Sequence, residues 1–308
     1  MRCRWLVLML ALLTSAVARG QDDGRSRLGD HDFVPVMALV EPFLNTHVQT
    51  TVSIGSAANA IVPVFDVTDS TVIGTAKADI LLAGLGFEYQ HQAKDWLAAR
   101  LGLVFGGRVG TSSQTLIAEG LTGALGYDLA WLMKILRSPK VMVSGSVGLG
   151  NHSGTFVNLL DWAEGVLVGA DVPLSRARNS LRGYGGAHAA WGLSRRFGLL
   201  GSFVMSYGES FDGRGTNSWN ADGRLALSYD AVHDLDLPLG LALAGGRFES
   251  NTGISSNNDI WFWSVRLAHQ GRDDFTIGLD FQHTDGDELR NGEKIQMNVV
   301  TIDMRYYY

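Results

Sequence analysis

An imidazole and a hydroxyl stand side by side in the stretch Asn151-His152-Ser153-Gly154, a pairing that nucleophilic catalysis can use. Such chemistry needs the base within about 3 Å of the hydroxyl and a third group that orients the base. Neighbouring side chains of a β-strand point to opposite faces, so His152 and Ser153 are expected to diverge unless a bulge turns one of them. The pattern therefore favours a polar strand end that enters a loop.

Metal and cofactor chemistry has little support in the residue pattern. The histidines are scattered, and Asp285, Asp287 and Glu288 fall in a loop-like stretch, where a weak cation site stays open. No helix pattern follows the glycine pairs, so no phosphate-binding loop is predicted. We expect no metal centre and no cofactor.

Charged residues recur on one face of many extended segments, opposite an apolar face. Val141, Val143, Val147 and Leu149 share one such apolar face. A Lys or Arg on this face at the middle of a bilayer would cost about 2–4 kcal/mol. Ten charged residues fall on the opposite face and are predicted to line a lumen: Glu88, Arg100, Arg108, Asp128, Arg224, Asp230, Arg266, Asp280, Asp303 and Arg305. Their mixed signs fit either a field across a water-filled pore or a salt-bridged network that braces the wall.

Extended segments of the chain must position these residues. Eleven are visible, at about 74–91, 96–109, 121–135, 140–152, 180–193, 197–211, 219–232, 238–250, 259–270, 274–284 and 294–308. Short polar turns between them alternate with longer connections rich in Gly, Asn, Ser and Asp. Because both chain ends are expected on the short-turn side, the strand number must be even, and residues 43–55 supply the missing strand. The sequence predicts an all-β, transmembrane, antiparallel up-and-down barrel of about 12 strands, within a range of 10–14.

The last eight residues, Thr301 to Tyr308, alternate polar and apolar and end on an aromatic residue. This ending resembles the closing strand of bacterial (Gram-negative) outer-membrane β-barrel proteins, in which a C-terminal aromatic residue is the usual assembly signal. The resemblance implies that Tyr308 is this signal, that the short turns are periplasmic and that the longer loops are extracellular. It also implies outer-membrane lipid, lipopolysaccharide and the barrel-assembly machinery as partners.

Aromatic residues fall at two heights along the predicted strands. One group lies beside the short turns: Trp191, Phe197, Tyr229, Phe275, Tyr306 and Tyr308. The other lies toward the longer loops: Phe105, Tyr207, Phe211, Trp219, Trp261 and Trp263. Two interfacial belts of this kind are expected of a membrane barrel.

The N-terminus has the pattern of a secretory signal peptide. Arg2 and Arg4 precede the apolar run Trp5 to Leu13, and Ala16-Val17-Ala18 offers a cleavage site. We therefore divide the chain into a cleaved signal at 1–18, a periplasmic N-terminal segment or plug at 19–42, and a barrel at 43–308. Loss of Arg2 and Arg4 would leave 23 basic against 31 acidic residues, a net charge of about −8, which argues against a nucleic-acid partner.

Small inward residues such as Gly240, Ala242, Ala244 and Gly246 predict a lumen with space in it. Water, the 153–179 loop or the N-terminal segment could fill this space. In that loop, residues 156–164 have helical spacing. The sequence favours a passive channel or transporter for small solutes across the outer membrane. The alternative is a closed structural or surface-interaction barrel that displays its extracellular loops.

A remote alternative is an outer-membrane lipid hydrolase that uses His152. The stretches Asn151-His152-Ser153-Gly154 and Tyr207-Gly208-Glu209-Ser210 have a superficial resemblance to outer-membrane phospholipases. The fuller His-x-Ser-Asn-Gly pattern of that family is absent from the chain. We therefore do not expect an enzyme.

Overall fold

Twelve antiparallel strands close into one barrel in the computed structural model, which describes residues 26–65, 72–110, 121–157, 167, 175–209, 217–249, 259–288 and 294–308. A small hairpin precedes the wall and consists of β1 (Arg27–Leu28) and β2 (His31–Asp32). The wall strands are β3 (His47–Phe65), β4 (Val72–Lys94), β5 (Leu97–Gly110), β6 (Leu121–Arg137), β7 (Val141–Val157), β8 (Ser175–Gly192), β9 (Phe197–Glu209), β10 (Asn217–Asp230), β11 (Leu239–Glu249), β12 (Asp259–His269), β13 (Phe275–Glu288) and β14 (Lys294–Tyr307). Each pairs with its neighbour in the chain, and β14 pairs with β3. The predicted twelve-stranded barrel is confirmed.

The two-residue alternation of the sequence decides which side chains face outward. Leu279, Ile302 and Val52 lie side by side on β13, β14 and β3, and about half of each side chain is exposed. The residues next to them in the chain point to the other face, where Asp280 and Asp303 are buried. A shift by one residue would turn every apolar side chain inward, so this pattern also fixes the register.

The first wall strand differs from the prediction of 43–55, because β3 begins at His47 and continues to Phe65. Phe43 and Leu44 do not join the wall but are buried inside it. The side-chain amide of Gln90 on β4 donates hydrogen bonds to the carbonyl oxygens of Phe43 (2.9 Å) and Asn45 (2.8 Å). The segment that precedes the barrel therefore extends to residue 46 and not only to residue 42.

The connections at one end of the barrel are short. Two residues, Asp95 and Trp96, join β4 to β5, and a single helical turn, α1 (Val232–Leu235), lies between β10 and β11. We call this the periplasmic end, as the fold class implies. At the other end, most connecting residues lie outside the described ranges, and so do Phe211 and most of the predicted helical piece at 156–164. Its first two residues continue β7 as strand.

The hairpin of β1 and β2 turns at Gly29 and Asp30, whose φ values are 58° and 64°. Positive φ at both central residues is the geometry of a two-residue hairpin turn, and glycine adopts it without steric cost. Arg27 and Asp32 join the two strands through two hydrogen bonds of 2.6 and 2.9 Å. Within the described residues, no helix has the length and apolar character needed to span a membrane.

Candidate functional site: the occluded lumen

The N-terminal segment lies inside the periplasmic half of the barrel, and we call residues 26–46 the plug. Its apolar run, Phe33 to Val40, packs against the inner surface of the wall, and Val34 is fully buried. The apolar cluster joins plug residues Leu28, Phe33, Val34, Val36, Ala38, Leu39, Phe43 and Leu44 to inward residues that include Ala98, Leu132, Met142, Ala190, Leu200, Ala226, Ala242 and Ala268. Full burial of a large apolar side chain contributes about 1.5–3 kcal/mol. The plug and the wall therefore share one hydrophobic core.

Glycines in the wall let the plug approach closely. A Cβ atom added to Gly198 would collide with Phe33 Cε1 and would lie 2.5 Å from His31 Cδ2. One added to Gly240 would lie 2.5 Å from Val34 Cγ2. The small inward residues near the periplasmic end therefore make room for the plug, which is one of the three occupants that the sequence left open.

His31 anchors the start of the plug to the wall. Its Nδ1 lies 3.1 Å from the carbonyl oxygen of Arg195. A carbonyl oxygen only accepts hydrogen bonds, so Nδ1 is protonated and donates to it. Its Nε2 lies 3.1 Å from the hydroxyl of Ser228, which also accepts a hydrogen bond of 3.0 Å from the backbone N–H of Val34. The Ser228 hydroxyl can therefore donate to Nε2, and one wall residue satisfies two buried groups of the plug.

Glu41 carries a buried charge on the plug, and Arg305 on β14 neutralises it. Nη1 of Arg305 lies 3.0 Å from each carboxylate oxygen of Glu41. Nε and Nη2 of the same guanidinium donate to the side-chain oxygen of Gln49 at 2.9 and 2.7 Å. Arg305 and Glu41 are both nearly buried. This pair links the plug to the last strand of the wall.

A second arginine contacts the plug from another part of the wall, four strands away from β14. Arg224 on β10 donates a hydrogen bond from Nη1 to the carbonyl oxygen of Ala38, and its Nη2 lies 3.4 Å from Asp222. Its guanidinium lies 5.9 and 5.8 Å from the ring centres of Phe248 and Phe262. Two well-separated strands of the wall, β10 and β14, therefore bind the middle of the plug.

Above the plug, toward the longer loops, the lumen widens into a chamber of about 310 Å³. Val40 of the plug forms part of its surface. The wall contributes mainly polar residues: Arg100, Asp128, His152, Arg182, Tyr184, Ser202, Ser206, Asp222 and Arg224. Asp128 accepts hydrogen bonds from Arg100 (3.1 Å) and from the Tyr184 hydroxyl (2.7 Å). A smaller lobe of about 180 Å³ adjoins Met37, Glu88 and Gly102.

The ten charged residues predicted to line a lumen occur in distinct settings. Arg266 and Asp303 form a fully buried ion pair with contacts of 2.6 and 2.8 Å, and Asp280 is buried opposite Arg266 on β13. Asp230, at the periplasmic end of β10, accepts a hydrogen bond from the backbone of Val232. The others contact the plug, border the chamber or lie further up the wall: Arg224, Arg305, Arg100, Asp128, Glu88 and Arg108.

Glu88 bonds to His47 Nε2 at 3.1 Å, and Nδ1 of that histidine lies 2.9 Å from the side-chain oxygen of Asn45. This contact fixes the point at which the plug passes into β3. Most of the charged residues thus form bracing pairs around the plug. Whether any of them contacts a passing solute stays a prediction.

The aromatic residues predicted as two belts lie near opposite ends of the barrel. Cross-strand ring pairs occur toward the periplasmic end, between Phe197 and Tyr229 and between Phe275 and Tyr306. Tyr207 and Trp219 pair toward the other end, at 4.9 Å. The remaining described members of the belts are exposed: Trp191, Tyr308, Phe105, Trp261 and Trp263. Trp96 is also exposed at this end, in the β4–β5 turn, and was not among the predicted aromatic residues, although the predicted segment 96–109 begins with it.

The hydrolase hypothesis requires a partner for His152, and the geometry does not supply Ser153. His152 borders the chamber, and Ser153 lies on the opposite face, next to outward Leu125. No hydrogen bond among the described residues joins His152 to a serine or a carboxylate. No cluster of three or more potential metal ligands occurs in the described ranges either.

Comparison with solved structures reveals the same architecture in outer-membrane proteins. An outer membrane channel from Pseudomonas putida F1 has a TM-score of 0.58 and 10% identity, over 94% of this chain and all of that one. The translocator domain of the autotransporter NalP from Neisseria meningitidis scores 0.52 at 7% identity, over 86% and 88%. The chain has the fold of bacterial outer-membrane β-barrels.

A third similar structure is a FadL homologue from Pseudomonas aeruginosa, with a TM-score of 0.50 and 11% identity over 92% of this chain and 97% of that one. No protein-family model matches the sequence. No curated protein matches it either. At these identities the likeness concerns the fold, and function must be argued from the lumen.

Proposed function

We propose that this chain is an outer-membrane channel for small solutes and that its plug closes the periplasmic half of the lumen at rest. The observation that carries the proposal is the arrangement of the plug below a polar chamber. A chamber bordered by charged and hydroxyl side chains accommodates a solute from the outside, and the plug separates that solute from the periplasm. The similar outer membrane channel from Pseudomonas putida F1 supports this reading through its fold.

The plug has the connections of a movable gate. It continues directly into β3 at His47, and its hairpin lies beside a periplasmic turn, where a Cβ atom added to Gly29 would lie 3.3 Å from Lys140 Cγ. Its contacts with the wall are side-chain contacts and isolated backbone bonds, and β1 and β2 pair only with each other. Withdrawal toward the periplasm would therefore leave all twelve wall strands paired.

Planar-bilayer conductance tests the channel with Val34→Asp as the opening variant. Val34 is fully buried between plug and wall, and an unpaired carboxylate there costs several kcal/mol. We expect rare openings in the wild-type protein and sustained conductance in Val34→Asp. Leu237→Asp, at an exposed turn position, is the control and should behave as wild type. Heat-modifiable gel mobility should show that all barrels are folded.

The contrary result is no conductance and no solute uptake by liposomes in three folded proteins: wild type, Val34→Asp and a variant that lacks residues 26–42. The second candidate, a closed interaction barrel, is favoured by the buried Glu41–Arg305 pair, which resists release. It predicts that the deletion variant conducts, whereas the wild-type protein never opens at any applied voltage.

Outer-membrane location, cleavage of the signal at residue 18 and contact with lipopolysaccharide belong to the same proposal. The exposed apolar face of the wall and the aromatic residues at its two ends support it. Fractionation of cells that express the full chain, followed by N-terminal sequencing of the membrane-bound product, measures both location and cleavage.

A further inference from the structure

The outward face of the wall carries a shallow groove of about 800 Å³ that runs across the strands from β7 to β12. Small residues form its floor: Ala187, Ala189, Gly201 and Gly245. Bulky, exposed side chains form its rims: Phe203, Leu225 and Trp261. Because cross-strand pairs bring Ala189 beside Gly201 and Leu225 beside Gly245, the floor is continuous. The surface that faces lipid is therefore recessed here.

The groove reaches from the lower part of the apolar band to its upper edge. At its lower end Val143 lies two residues from the periplasmic end of β7, and at its upper end Arg247 lies eight residues from that of β11. With about 3.4 Å per residue and a strand tilt of about 40°, eight residues correspond to a height of about 21 Å. The upper end therefore lies at the outer interface of an apolar band about 25 Å tall.

Arg247 places a positive charge at this upper end. Its side chain is exposed on the outward face, where Trp261 of β12 is its cross-strand neighbour. Among the described side chains in the upper half of the wall, it is the only arginine or lysine that faces outward. A guanidinium at this height complements the phosphate groups of outer-leaflet lipid, which it can bind through charge-assisted hydrogen bonds.

Polar side chains continue the same surface on β13 and β14. His283 lies 2.7 Å from the side-chain oxygen of Asn298 through Nδ1 and 3.3 Å from that of Asp285 through Nε2. The ring of Trp263 lies beside this group, with its centre 5.5 Å from that of His283. All four face outward, above the apolar residue Phe281. Imidazole, amide and carboxylate groups beside an indole fit the hydroxyls and the ring of a sugar headgroup.

We propose that this face of the barrel binds one molecule of a phosphorylated outer-leaflet glycolipid, the lipid A anchor of lipopolysaccharide. An acyl chain lies in the groove, which spans five inter-strand spacings or about 24 Å. Arg247 binds a phosphate, and the polar side chains beside Trp263 contact the sugar. The inference rests on the proposed outer-membrane location and goes beyond it, because it assigns one lipid to one face of the wall.

Native mass spectrometry of the full chain, released from detergent micelles, tests the site with diphosphoryl lipid A as the probe. We expect one retained lipid A, bound at least tenfold more tightly than phosphatidylglycerol. Arg247→Gln should weaken this binding about tenfold, or about 1.4 kcal/mol, whereas lipid A without phosphates should bind both proteins equally. Arg272→Gln removes the same charge at an exposed periplasmic turn and should bind as wild type.

Gly245→Leu tests the groove independently of charge. A Cβ atom at this position meets only the carbonyl oxygen of Phe262 within 4 Å, at 3.4 Å, so the barrel should fold, and the longer side chain should fill the groove. We expect at least tenfold weaker binding of lipid A. Gly183→Leu is the matched control, because it adds the same side chain to the outward face beyond the groove, where a Cβ atom lies 3.7 Å from Leu149 Cδ2.

Equal affinity for lipid A and phosphatidylglycerol would reduce the face to ordinary lipid contact and overturn the site. Wild-type affinity in folded Arg247→Gln and Gly245→Leu would do the same, and so would a protein dimer that retains no lipid. Planar-bilayer conductance separates these failures from failure of the channel, since the groove and the lumen lie on opposite faces of the wall. Selective lipid A binding without conductance in any plug variant overturns the channel alone, and conductance without lipid selectivity overturns the site alone.

Discussion

A carboxylate that is buried inside a barrel destabilises the fold unless a positive group compensates its charge. Glu41 meets this condition through Arg305, and the Ser26 hydroxyl and the Val36 backbone N–H, both 3.3 Å from the carboxylate, complete its surroundings. All of these partners except Arg305 belong to the plug itself. Among the described residues, the ion pair is therefore the polar contact of Glu41 that depends on the docked position of the plug.

Substitution Glu41→Gln should loosen the plug without affecting the wall. Removal of one member of a buried ion pair typically costs about 3–5 kcal/mol, because the other charge stays buried without its partner. We expect amide hydrogen exchange in residues 28–44 to accelerate at least tenfold, while exchange in β13 and β14 stays unchanged.

Asp274→Asn is the matched control, because it breaks an exposed pair with Arg272 in a periplasmic turn. Exposed pairs contribute only about 0–1 kcal/mol, so exchange in the plug should stay at the wild-type rate. Slow exchange of residues 28–44 in Glu41→Gln would mean that the apolar contacts alone keep the plug in place.

At the scale of elements, the sequence predicts the wall strands well and the plug poorly. Alternation over whole strands identifies twelve of them because one face meets an apolar phase and the other an enclosed polar space. The plug has no such period: its apolar run from Phe33 to Val40 is continuous, because most of the run is buried inside the barrel. That run was the available signal, since eight successive apolar residues outside a strand pattern need a buried environment.

Alternation along each strand predicts which face the charged residues occupy. It does not predict which residue each of them pairs with across the lumen. Arg305 and Glu41 lie 264 positions apart in the chain. Arg182 on β8 meets Ser206 of β9 and Ser218 of β10 only in the closed barrel. Pairing across a lumen depends on how the wall closes, which local patterns do not encode.

Gly198, at the start of β9, shows how one wall element admits the plug. Gly198→Val would place side-chain atoms where the rings of Phe33 and His31 lie, so we expect displacement of the β1–β2 hairpin and larger bilayer conductance than in wild type. Gly223→Val in β10 is the control, because a Cβ atom there meets nothing within 4 Å. Wild-type conductance in a folded Gly198→Val barrel would place the permeation barrier elsewhere than at the plug.

For the whole molecule, the outward face must match a bilayer in depth as well as in polarity. Leu279, Ile302 and Val52 lie four or five residues from the periplasmic ends of their strands, which is about half the height of a ~25 Å apolar band. Phe275 and Tyr306 lie at or next to those ends. An arginine on a lipid face costs about 2–4 kcal/mol at the midplane and about 0–1 kcal/mol near the interface. The loss of unfolding free energy caused by an arginine therefore reports how deep in the bilayer that position lies.

Leu279→Arg should lower the free energy of unfolding in lipid vesicles by about 2–4 kcal/mol, measured by reversible denaturant titration. Leu237→Arg, an exposed position beyond the end of β10, should change it by less than about 1 kcal/mol. The same pair of variants in detergent micelles should differ less, because a micelle adapts to an inserted charge. Equal losses at both positions in vesicles would contradict a membrane-spanning wall, and the channel proposal would fail with it.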